Sequence, residues 1–193
     1  RQAAEIEPGS AEAQFNVASI VFQEGDKEGC IAAPQRAIVL DTGYAPAYER
    51  LGALLRDVDR PTEAIAALQT GLKLNPNDAN SWLSLGLSFD DLGQLEDAKD
   101  ALDRAIEANP SFVEAHQNLG TVLRAMGRYE EAIIAYDRAL ALNPNSETAI
   151  ANRALALLAE GRFEEGWRYY LTRPSIVKYG DRLHRTSLPD DLS

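Results

Sequence analysis

The 193-residue sequence is poor in the residues that most site chemistry needs. It has one cysteine, Cys30, and two histidines, His116 and His184. A lone cysteine excludes a disulfide framework and any cysteine-based zinc site. The histidines have no regularly spaced partners, so no metal site is expected. No glycine-rich phosphate loop is present. No apolar run approaches the ~20 residues that a membrane-spanning helix requires. No signal-peptide pattern is visible, and the first residue is Arg1. Basic charge is scarce too: Lys and Arg number 19 against 30 Asp and Glu, a net charge of −11. The imbalance lies in residues 1–160, net −12, whereas residues 161–193 are net +1. An acidic body argues against nucleic-acid binding, because phosphate backbones need a basic surface. These absences predict a chain with no cofactor, no metal, no nucleic-acid partner and no membrane partner. The single thiol suits a reducing, cytoplasmic compartment.

What the sequence does have is a period. Gly52, Gly86 and Gly120 recur at one fixed interval, and Ala18 and Ala154 extend that column in both directions. A second small-residue column holds Cys30, Ala64, Ala98, Ala132 and Gly166. A third runs Ala3, Ala37, Gly71, Ala105 and Ala139, until Arg173 breaks it. A fourth carries Pro8, Pro76, Pro110 and Pro144, with Thr42 and Lys178 as exceptions. No insertion is needed to keep the columns in register. Large apolar residues flank the first column at helical spacing, as in Leu51 and Leu55, Leu85 and Phe89, Leu119 and Leu123. A second amphipathic stretch follows each, such as Ile65, Leu68 and Leu72, or Ile133, Tyr136 and Leu140. Each unit is therefore expected to be a pair of helices, held close by small residues where they cross. Gly25, Gly93, Gly127 and Gly161 fall between the two helices, where a left-handed residue ends the first. Asp59 takes that place once, and Pro61 then opens the next helix. Pro76, Pro110 and Pro144 close each unit.

The columns resemble the tetratricopeptide repeat, a helix–turn–helix of about 34 residues. The copy from Ser81 to Pro110 carries the signature most fully, in Trp82, Leu85, Gly86, Phe89, Gly93, Ala98, Leu102, Ala105 and Pro110. The resemblance covers 1–178. It implies an all-α, right-handed superhelical solenoid of tandem units at 11–44, 45–78, 79–112, 113–146 and a divergent terminal 147–178. Residues 1–10 would be the end of a preceding repeat, and 179–193 a C-terminal tail or linker. A chain that starts inside a repeat predicts further units upstream. One departure stands out: Pro34 occupies the interior of a second helix, where other copies have Leu68, Leu102 and Tyr136. A kink or an altered helix start near Cys30–Gln35 is expected there.

In this family the first helices line a concave face, so the resemblance implies a groove for a peptide or protein segment. The candidates are Asn16 and Ser19 in the first complete unit, then Glu49, Arg50 and Arg56. They continue with Ser84, Leu87 and Asp91, with Gln117, Asn118, Thr121 and Arg124, and with Asn152 and Leu155. Asn16, Asn118 and Asn152 share one column, and a side-chain amide can hold a peptide backbone without reading its sequence. The column resembles the asparagine ladder of O-linked N-acetylglucosamine transferases, but Arg50 and Ser84 interrupt it; asparagine is also simply common at this place. The two-carboxylate clamp of chaperone-tail-binding members is not matched. Phe15, Glu49, Leu83 and Gln117 stand at its positions, without a lysine. His116 lies in the packing column of Tyr48 and Trp82, and Cys30 in a small-residue column, so both read as packing residues. The acidic pairs Glu130–Glu131 and Glu164–Glu165 suit helix N-termini.

The last copy changes character. In "GRFEEGWRYYLTRP" (161–174), Phe163, Trp167 and Tyr170 or Leu171 share one helical face. Arg173 stands where the other copies have a small residue that receives the next unit. One reading is a capping helix. Another is a junction: Gly161, Phe163, Gly166, Trp167, Tyr170 and Arg173 resemble the pattern that joins tetratricopeptide units to a glycosyltransferase-like domain in bacterial proteins. The expected function is a non-enzymatic protein–protein interaction module whose peptide or protein partner is unidentified. The alternatives are the substrate-recruiting arm of a larger bacterial glycosyltransferase and a self-assembling scaffold, a possible homo-oligomer.

Overall fold

The computed structural model describes residues 10–12 and 27–171. The described residues hold nine helices and no strand. They are α1 (Lys27–Leu40), α2 (Ala45–Asp57), α3 (Pro61–Leu74), α4 (Ala79–Asp91), α5 (Leu95–Ala108), α6 (Val113–Ala125), α7 (Tyr129–Leu142), α8 (Glu147–Ala159) and α9 (Phe163–Leu171). The chain divides into two compact units between Pro110 and Ser111. In the first, α2 packs on α3 and α4 on α5; in the second, α6 packs on α7 and α8 on α9. The fold is all-α and of the helical-solenoid class.

The turn inside each hairpin follows from one backbone requirement. Asp59, Gly93, Gly127 and Gly161 all have positive φ, from 61° to 87°. That conformation lets the chain reverse while the last carbonyls of the first helix are satisfied: Arg60 N donates to Leu55 O, and Gln94 N to Phe89 O, both at 2.9 Å. Pro61 is the first residue of α3, where its missing N–H has no helical partner to lose. Pro76, Pro110 and Pro144 directly follow the helix C-caps Asn75, Asn109 and Asn143. The first helices α4 and α8 are capped by side chains, Asp78 accepting from Asn80 N and Ser81 N, and Ser146 from Ala149 N. Tyr48 and Trp82 each donate a hydrogen bond to an upstream backbone carbonyl, Trp82 Nε1 to Pro76 O at 2.7 Å.

Close packing of each hairpin turns on a glycine facing a large side chain. A Cβ on Gly52 would collide with Leu68 Cγ. On Gly86 it would lie 2.8 Å from Leu102 Cγ, and on Gly120 2.6 Å from the Tyr136 ring. Leu68, Leu102 and Tyr136 are fully buried. Pro34 stands in the same column and is buried too. Of the two expected outcomes, a kink or an altered helix start, the altered start does not occur: α1 runs unbroken from Lys27 to Leu40 with Pro34 inside. The proline ring occupies the apolar seat that the column's other side chains fill, which offsets the missing backbone hydrogen bond. Cys30, Ala64, Ala98 and Ala132 have no exposure, as a close helix contact demands. His116 is buried in its packing column.

The last hairpin reverses this fastener. Ala154 stands where α2, α4 and α6 have the glycine. The glycine is now on the second helix, at Gly166, and faces Leu158 of the first; a Cβ added there would lie 2.8 Å from Leu158 Cγ. Leu158 replaces the polar Arg56, Asp90 and Arg124 of the earlier copies. Phe163, Trp167 and Leu171 of α9 are exposed, and Trp167 meets Tyr170 edge to face at 5.7 Å. Arg173 and the remainder of the basic tail lie outside the described residues.

Candidate functional site

The first helices lie side by side within each unit, α2 beside α4 and α6 beside α8. Asn16 and Ser19 lie outside the described residues. In the first unit, Glu49, Arg50 and Arg56 on α2 are half-buried, as are Ser84 and Leu87 on α4, and Asp91 is exposed. Burial pushes the Glu49 carboxyl up from its ordinary value, and Asp78 adds to the shift while Arg50 opposes it. Burial likewise raises Asp90, with Asp91 contributing.

In the second unit, Gln117, Asn118, Thr121 and Arg124 on α6 are half-buried, as is Asn152 on α8, and Leu155 is exposed. Three of these side chains are fixed by the scaffold. Gln117 Nε2 donates to Ser146 Oγ, the α8 cap. Thr121 Oγ1 donates to Gln117 O at 3.1 Å and lies 3.2 Å from the Tyr136 hydroxyl. Asn118 Nδ2 donates to Glu114 O at 2.8 Å. Among the described residues the Asn118 side-chain oxygen accepts no hydrogen bond. Arg124 Nε is buried without a hydrogen-bond partner among the described residues.

A second surface, which the sequence-based expectations passed over, is formed by the outer sides of the second helices. In the first unit an open groove of about 870 Å³ runs between α3 and α5. Its floor is Leu72, Trp82, Leu85 and Phe89, and its α5 wall carries Asp97, Asp100 and Asp103. In the second unit the same place holds Arg153. This arginine is buried, and its Nε lies 2.5 Å from Asp137 Oδ1 on α7. Its Nη2 lies 3.9 Å from Glu165 Oε1 on α9, and its guanidinium carbon stands 4.0 Å from the Tyr169 ring centroid. The signal is present in the sequence, because Arg153 interrupts the column of Leu51, Leu85 and Leu119. The concave-face candidates occupy other positions of the first helices, so that column carried no functional expectation.

Among the described residues, no group of three or more His, Cys, Asp and Glu is placed to hold a metal ion, and no helix is long and apolar enough to cross a membrane. The family model of the tetratricopeptide repeat matches residues 49–98, 83–147 and 119–172, together more than half of the chain. No curated protein matches it by sequence. Solved structures do. MamA is 25% identical over 86% of this chain and 97% of its own, with a TM-score of 0.79. YrrB, described as a TPR protein with an unusual peptide-binding site, is 22% identical over 94% of each chain, with a TM-score of 0.74. Pseudomonas aeruginosa PilF is 21% identical over 83% of this chain and 73% of its own, with a TM-score of 0.74. The last two share the fold. The evenly spaced columns, the paired helices with their left-handed turns and the family match converge: the chain belongs to the tetratricopeptide-repeat family and is a protein-interaction module built on that repeat.

Proposed function

We propose that the chain is a non-catalytic docking module that holds an extended polypeptide segment against its first helices. The carrying observation is the pre-set polar group on α6. Gln117, Asn118 and Thr121 are held by Ser146, Glu114 and Tyr136, so their remaining hydrogen-bonding capacity is presented in a fixed arrangement. Groups already ordered lose little entropy when a ligand arrives. An amide such as Asn118 or Asn152 both donates and accepts, which suits a peptide backbone more than any particular side chain. The raised carboxyls Glu49 and Asp90 favour a segment that adds no negative charge near them.

The test is selection of unstructured peptides from a random library on the immobilised chain, followed by titration of the recovered peptides. Asn118→Ala and Asn152→Ala should each weaken binding several-fold, about 1 kcal/mol, with an unchanged melting temperature. Recovered peptides that bind both variants as tightly as the parent would remove the first-helix face from consideration. A second reading, the recruiting arm of a glycosyltransferase, is favoured by the exposed Phe163, Trp167 and Leu171 on α9, a face suited to contact with a further domain. A full reading frame without a nucleotide-sugar-binding domain would rule that reading out.

A further inference from the structure

Three observations, independent of the first-helix face, meet at the groove between α3 and α5. The first is its shape and lining. Leu72, Trp82, Leu85 and Phe89 form an apolar floor open to one side, and Asp97 and Asp100 stand on the α5 wall. The second is a missing cation. At the start of α3, α7 and α9 an arginine at the helix N-cap or just before the helix holds the glutamate one turn on. These are Arg60 with Glu63, Arg128 with Glu131 and Arg162 with Glu165, with contacts of 2.5 to 2.7 Å. At α5 the arginine is replaced by Gln94, the N-cap residue, and the acid is Asp97. Asp97 has no ion-pair partner among the described residues. The other charges around the groove are largely settled: Arg104 pairs with Glu107 at 3.0 Å, and Lys99 with Asp103 at 2.7 Å and, loosely, Asp100 at 3.9 Å. Lys73 stands on the opposite wall.

The third observation is what the molecule itself puts in the equivalent place. Two repeats further on, Arg153 replaces Leu85, Asp137 replaces Gln69 and Glu165 replaces Asp97. There an arginine lies against a ring with carboxylates from the second helices on both sides. The first unit keeps an apolar floor and an acidic wall but lacks the arginine.

We propose that the α3–α5 groove is a second docking site, taking a basic amphipathic polypeptide segment that inserts an arginine beside apolar side chains. The guanidinium gives Asp97 a partner and Asp100 a closer one than Lys99, and the apolar neighbours cover Trp82, Leu85 and Phe89. Planar, weakly hydrated and always charged, a guanidinium suits an apolar floor beside carboxylates better than an ammonium does. Binding through Asp97 and Asp100 should weaken steeply with added salt.

The probe is a short amphipathic peptide of alternating leucine and arginine turns, titrated into isotopically labelled protein and followed by amide and indole NMR shifts. Its counterpart has citrulline, an uncharged isostere, at every arginine. The expected result is a shift of the Trp82 indole and of α5 amides with the arginine peptide, weakened about tenfold or more with citrulline. Asp97→Asn with Asp100→Asn should weaken binding to a similar degree. Gln94→Arg should also weaken it, by giving Asp97 the partner found at the other helix starts. These are surface changes, and circular dichroism would verify that each variant is folded. Leu85→Arg with Gln69→Asp should close the groove as Arg153 does. The proposal is overturned if citrulline binds equally, if shifts fall only on first helices, or if no shift occurs at millimolar peptide. It is also overturned if Trp82 shifts with protein concentration alone, which would assign the groove to a second copy of the chain.

Discussion

Two copies of one surface, two repeats apart, have opposite contents. Between α7 and α9 the floor position is Arg153, and the second helices supply Asp137, Glu165 and Tyr169 to hold it. Between α3 and α5 the floor position is Leu85, and the place above it is open. The backbone is the same helix pair in both. What differs is whether the chain fills its own surface or offers it. A repeat can thus change from closed to open through one residue in the floor and one or two in the walls; the closed copy also carries the reversed glycine contact, Gly166 on Leu158, where the open one has Gly86 on Leu102.

Removing the floor residue tests the contrast most strongly. Leu85→Ala should lower stability by about 3 kcal/mol, because Leu85 is nearly fully buried and the helices around it relax only in part. Arg153→Ala should lose about 2 kcal/mol, since it removes a buried side chain and leaves Asp137 without its cation, while Glu165 keeps Arg162. Arg153→Leu, which restores the column, should fall well below that loss. Urea titrations of the three variants decide the matter. If Arg153→Leu is as damaging as Arg153→Ala, the arginine is a keystone of the last hairpin and not a filling.

Next in size is the glycine fastener. Gly86→Ala and Gly166→Ala should each lose roughly 1–3 kcal/mol, because the added methyl meets Leu102 in one case and Leu158 in the other. The two are placed on opposite helices of their hairpins, so each should be rescued by shortening its own opposing leucine and not the other's. Thermal melts of the paired variants would show this, and rescue by the wrong leucine would dissolve the distinction between the last hairpin and the rest.

The smallest effect concerns acidity. Glu49 has a folded-state value raised above its unfolded one by burial. Ionised Glu49 therefore opposes folding, with the cost fully present above the folded value and gone below the unfolded one. Glu49→Gln should raise the melting temperature slightly at neutral pH and leave it unchanged in acid. An equal gain at both ends of the pH range would show that burial of charge is not the cause.

Much of this was legible in the sequence, for a physical reason. A repeated helix pair fixes its small residues, turn residues and prolines by contacts within the repeat, so Gly52, Asp59, Pro61 and Pro76 carry their roles openly. Asp59 could be placed in a left-handed turn only because four glycines stood in its column. Pro34 was harder, because the rule against interior proline is local and the burial of its ring is not. The groove was missed for a similar reason. Its walls come from two second helices that are distant in sequence, and its meaning rests on the absence of an arginine at Gln94. An absence is visible only against Arg60, Arg128 and Arg162. The reversed glycine at Gly166 could be seen as a break in pattern but not explained until Leu158 was found opposite it.

That each glycine meets its large partner inside the same hairpin has a consequence for how such a chain can change over generations. In the pairs Gly52–Leu68, Gly86–Leu102 and Gly120–Tyr136 the lock and its key are copied together. An in-frame duplication or deletion of one whole repeat therefore delivers a hairpin already fastened, whatever its neighbours. The final hairpin is fastened at another pair of positions, so a crossover joining its first helix to an earlier second helix would set Ala154 against the side chain of the Leu102 column and Leu158 against an alanine of the Ala98 column, two places where a methyl group comes too close. Exchange of whole repeats thus leaves each of these contacts intact, whereas an exchange inside the last described hairpin can bring a methyl group against a leucine.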